Sequence, residues 1–135
     1  MSKRIIGFLG IFLVLCMSGC SDSPLGQPDL SGTWELKKIV YGFTQITNDS
    51  PPKETIVISL RQKSIKRYEE DKLVEDNRLS LSTRNERAIL VLQDTQEYYY
   101  YQLLEINGKT QLVLYEKTPI GYDIADGADY YYERK

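Results

Sequence analysis

The chain has 135 residues, a formal net charge of −2, two cysteines and no histidine. A slightly acidic balance argues against nucleic acid as a partner, and the lack of histidine removes Cys–His and Ser–His nucleophile pairs together with the commonest zinc ligand. With no two carboxylates marked as an acid–base pair, a non-enzymatic protein without metal or cofactor is expected. The first element in chain order is Lys3 and Arg4 followed by 13 uncharged, mostly apolar residues, Ile5 to Met17, and then the small residues Ser18 and Gly19 before Cys20. A basic start, a short apolar run and small residues at the end describe an export signal. The run is shorter than the roughly 20 residues a membrane-crossing helix needs.

A signal that ends on a cysteine resembles the lipobox of bacterial lipoproteins, with Met17 where that family usually has Leu. The resemblance implies a signal peptide over residues 1–19, acylation of Cys20 as the new N-terminus, and attachment to the membrane through that lipid. Ser21 rather than Asp after Cys20 implies delivery to the outer membrane, on a side that the residues leave open. A diacylglycerol thioether plus an amide-linked acyl chain exceeds the two hydrophobic signals that stable anchoring requires. Cys16 leaves with the signal, so residues 21–135 hold no cysteine and no disulfide, and the 15 basic residues that remain face 19 acidic ones, a net −4. About 115 residues suit one domain that is held together by its core.

Residues 20–29 read as a tether, since Ser-Asp-Ser-Pro-Leu-Gly-Gln-Pro-Asp over 21–29 is rich in turn formers and carries two prolines. From residue 30 to 135 the pattern is strand. Trp34 to Tyr41 opens it, Phe43 to Pro52 reads as a long loop, and Glu54 to Leu60 alternates with Ile56, Ile58 and Leu60 on one face. Ser64–Glu70 and Leu73–Asp76 flank a hairpin tip at Glu70-Asp71-Lys72, with a bulge expected near Ile65 and Tyr68, which fall on opposite faces. Arg78–Thr83 and Ala88–Leu92 follow as further strands. Tyr98–Ile106 and Thr110–Tyr115 are joined by Asn107-Gly108, the strongest two-residue hairpin signal in the chain. Tyr130–Arg134 closes it. Eight or so antiparallel strands with no substantial helix predict an all-β, up-and-down barrel, which leaves no strand edge open.

The segment Leu30-Ser31-Gly32-Thr33-Trp34-Glu35-Leu36 resembles the opening Gly-x-Trp strand of lipocalins. With the hairpin Lys66-Arg67-Tyr68-Glu69 to Lys72-Leu73-Val74-Glu75 and the closing Tyr130-Tyr131-Tyr132-Glu133-Arg134, the chain resembles the small lipocalin-like lipoproteins of Bacteroidetes. That resemblance implies a lipocalin-like barrel over residues 30–135 and a barrel-closing pair, Trp34 at the shut end with Arg134 over it. No segment is left for the helix that follows the barrel in full lipocalins, so the interior is expected to be small.

The 11 tyrosines are the unusual feature. Rings that line an open mouth would hold a small hydrophobic or glycan-like ligand, because tyrosine offers a flat surface and a hydroxyl at low conformational cost. Strand propensity explains tyrosines equally well. The candidates for ligand binding are Tyr98, Tyr100, Tyr115 and Tyr122. The alternative is an envelope protein-interaction module with a solid core, or an inhibitor acting through the 43–52 loop. Asp123, Asp126 and Asp129 lack the spacing of a calcium loop and read as a solvated turn.

Overall fold

The structure is a computed structural model that describes residues 29–123 and 127–135. The signal, Cys20 and nearly all of the tether, and Asp126, lie outside the described residues. Among the described residues there is no helix; ten strands form one antiparallel array. They are β1 (Gly32–Tyr41), β2 (Ile46–Asn48), β3 (Glu54–Ser59), β4 (Ser64–Glu69), β5 (Lys72–Arg84), β6 (Arg87–Leu92), β7 (Glu97–Ile106), β8 (Lys109–Tyr115), β9 (Thr118–Pro119) and β10 (Ala128–Arg134). β1, β3 to β8 and β10 pair in chain order, and β10 returns to β1 from Trp34↔Arg134 to Tyr41↔Ala128, so eight strands close an up-and-down barrel. The two short strands are extras: β2 pairs with the far end of β1, and β9 with the start of β7.

Tight turns carry the meander. Asn107-Gly108 has φ values of +52° and +74°, the pair of left-handed residues that a two-residue hairpin twisted like its strands requires. Glu70-Asp71 does the same at +48° and +65°, and Asn85-Glu86 at +49° and +62°. Neither Glu70-Asp71 nor Asn85-Glu86 contains a glycine. The bulge expected in β4 is present: its register against β5 slips between Arg67 and Tyr68. The segments 73–76 and 78–83, expected as separate strands, are one 13-residue strand, β5. Its first half pairs with β4 and its second with β6. Asn77, which interrupts the apolar alternation, is buried inside it and donates from its amide to Glu75 Oε1 at 2.8 Å.

Inward residues fill most of the interior. Ile56, Ile58, Ile65, Leu79, Leu90, Leu92, Leu112 and Leu114 form one cluster with Trp34, Leu36 and Tyr132, each aliphatic side chain contributing about 1.5–3 kcal/mol by burial. One pole is shut. Trp34 is completely buried there, and its Nε1–H donates to the Leu30 carbonyl at 3.0 Å. The guanidinium carbon of Arg134 lies 4.4 Å over the indole, a cation–π geometry, while the same group donates to the carbonyls of Ser31 (2.7 Å) and Asp29. Gly32 makes room for this: its φ is +139°, and a Cβ there would come within 2.8 Å of Arg134 Nη1.

Candidate functional site

The opposite pole is open, and the same alternation that builds the core lines it. Antiparallel partners share a face, so Tyr99 opposite Leu90 and Tyr101 opposite Leu114 point inward, as do Tyr130 opposite Leu114 and Tyr132 opposite Leu112. Glu54 starts β3 two residues before the buried Ile56, and Arg67 follows Ile65 by two on β4. Glu54, Arg67, Tyr99, Tyr130 and Tyr132, with Glu116 and Lys117 just past β8, enclose a cavity of about 280 Å³. A second hollow of about 380 Å³ adjoins it under Tyr41 and Phe43, and Glu116 and Tyr130 line both. Deeper down, between Ile56, Leu92 and Leu114, the free space shrinks to about 10 Å³. The site is thus a shallow cup above a filled core, as a barrel of eight strands allows.

Its floor is an ion-pair network. Arg67 bonds Glu75 Oε2 at 3.1 Å and Glu54 Oε2 at 3.4 Å, and reaches Glu69 at the rim. Burial works against the charge on Arg67, but the bond to Glu75 and the charge of Glu54 prevail and hold the guanidinium protonated more firmly than usual. Lys117 sits 3.1 Å from Glu75 and 3.7 Å from Glu97. The Tyr132 hydroxyl donates to Glu54. Burial, and then the charge of Glu54, raises its phenol well above the ordinary range, and burial followed by Glu75 does the same to Tyr99. Both stay hydroxyl donors at neutral pH. Glu116 is held by the Ala128 N–H, which donates to its Oε2 at 2.8 Å.

The four tyrosines picked from the sequence do not line this cup. Tyr98 and Tyr100 stand opposite Val91 and Ile89, on the outer face, and Tyr115 stands opposite Asp129 there. The physical reason is register: on β7 the odd-numbered residues go in. Tyr98 and Tyr100 meet outside, and Arg87 links Tyr100 to Tyr115. The Tyr98 and Tyr100 rings are edge to face at 5.4 Å, and Arg87 lies over Tyr100 and Tyr115 at 4.2 and 5.0 Å. Tyr98 is buried beneath the stretch after β9, its hydroxyl donating to the Tyr122 carbonyl at 2.6 Å and to Asp123 Oδ1 at 3.2 Å. The Tyr122 side chain itself is exposed. Asp123 pairs with Arg84 at 3.1 Å, and among the described residues no group of His, Cys, Asp or Glu is arranged to hold a metal ion. Tyr98→Phe is expected to cost about 1 kcal/mol in a denaturant melt and to speed amide exchange at 120–123, whose outer wall it pins.

A signal for the inner set was present: Tyr130 and Tyr132 precede Arg134 by four and two residues, hence share the face that covers Trp34. Arg67 and Glu54 likewise stand on the apolar parity of their strands. Comparison of the chain with protein-family models, with characterised proteins and with solved structures finds no match.

Proposed function

We propose that this is a lipid-anchored cell-envelope protein, held through Cys20 at the outer membrane, whose barrel binds a small ring-bearing, glycan-like ligand at its open pole without transforming it. The observation that supports this reading is the cup itself, in which Tyr99, Tyr130 and Tyr132 alternate with Glu54, Arg67, Glu116 and Lys117 around about 280 Å³. Ligand sites combine apolar rings with a few fixed polar groups. A wholly apolar ligand suits the cup less well, because the floor is charged and the greasy part of the interior is already occupied by side chains.

Saturation-transfer NMR against a panel of monosaccharides and disaccharides tests the reading. Tyr130→Ala should weaken the binding at least about tenfold, the worth of roughly 1.4 kcal/mol of lost ring packing. Binding that is indifferent to Tyr130→Ala would place the ligand elsewhere and sink the proposal. A second reading, docking of an envelope protein, is favoured by Phe43 and Ile46, which are 84% and 61% exposed beside the mouth. A docking module would tolerate Tyr130→Ala.

A further inference from the structure

The charges in the cup do not balance. Glu54, Glu75, Glu97 and Glu116 face Arg67 and Lys117, four carboxylates against two cations. Both cations are already engaged: Arg67 by Glu54, Glu75 and, at the rim, Glu69, and Lys117 by Glu75 and Glu97. An anionic ligand would find no unclaimed donor charge and would meet surplus negative potential. Glu116 is the group left over. It accepts one backbone hydrogen bond, from Ala128, and among the described residues it forms no ion pair. It stands half-buried on the wall common to both hollows, next to Tyr130. A neutral ligand seated there would strip water from this carboxylate and offer no counter-charge, whereas an ammonium group would pair with it and lie against an aromatic wall that attracts cations.

Resting on the reading of the cup as a saccharide-class site, we infer that the ligand carries a cationic amine on its ring and that Glu116 recognises the ammonium. The probes are D-glucosamine, D-glucose and D-glucuronate, which share a pyranose ring and differ in charge. They are titrated by saturation-transfer NMR into the full chain in detergent, in mildly acidic buffer where the amine is charged. Glucosamine should bind at least about tenfold tighter than glucose, the effect of one ion pair of roughly 1.4 kcal/mol, and glucuronate weakest. Glu116→Gln keeps an oxygen for the Ala128 N–H, so it should melt like the parent. It should reduce the preference for glucosamine over glucose to about twofold or less. Glucose binding as tightly as glucosamine, and still lost in Tyr130→Ala, would overturn the amine and leave the site standing. A preference that survives Glu116→Gln would overturn the role of Glu116. Failure of all three sugars to bind would overturn the saccharide reading and the inference with it.

Discussion

Trp34→Ala is expected to lower the stability of the barrel by about 3–5 kcal/mol, the range for truncating a large buried aromatic. A domain of this size holds only about 5–15 kcal/mol in all, so the variant should melt at far lower denaturant, with a fraction unfolded even without it. The reasons are cumulative. Trp34 is wholly buried and touches the bottom layer of the core. Its Nε1–H satisfies the Leu30 carbonyl, which would be left without that partner. The indole is also the platform for Arg134. Without the ring, that guanidinium loses its cation–π partner and keeps only the carbonyls of Ser31 and Asp29. Chemical denaturation followed by tyrosine fluorescence measures the effect. A loss below about 1 kcal/mol would mean that the indole is not what seals the pole.

Arg67→Met should be the next most damaging change, at about 3 kcal/mol near neutral pH. Breaking a buried ion pair costs about 3–5 kcal/mol because a charge is stranded, and the Arg67 side chain is 27% exposed, which places it at the low end. Glu75 retains Lys117 at 3.1 Å, so Glu54 bears most of the loss, with only the Tyr132 hydroxyl still bonded to it. Urea melts of both proteins at neutral pH check it. A loss below about 1 kcal/mol would show that Arg67 is not what compensates the carboxylates of the floor.

Much of the architecture was legible in the chain. The alternation in β3, the Asn107-Gly108 turn and the number of short strands led to an all-β up-and-down barrel, and the structure has that closure. The misses have common causes. Asn77 breaks the apolar alternation of β5, yet the strand runs on through it, its Nδ2 donating to Glu75 while its buried Oδ1 has no partner among the described residues. Which tyrosines face inward is not legible in the chain, because a run such as Tyr98–Tyr101 alternates identically either way; only pairing against Leu90 and Leu114 decides which rings enter. The charged groups of the cup escaped notice because Arg67 and Glu54 look like surface residues until their strands are placed.

The shut pole bears on the proposed anchoring through Cys20. Arg134 grips the carbonyls of Asp29 and Ser31, so the chain enters the barrel at its base, at the far end of β10 from the cup. Whatever holds residues upstream, an acylated Cys20 included, therefore pulls on that base. The eight residues from Ser21 to Pro28 can span at most about 26–29 Å. Under the proposed anchoring, the attachment is therefore made at the sealed pole, and the open cup is the end of the barrel remote from it.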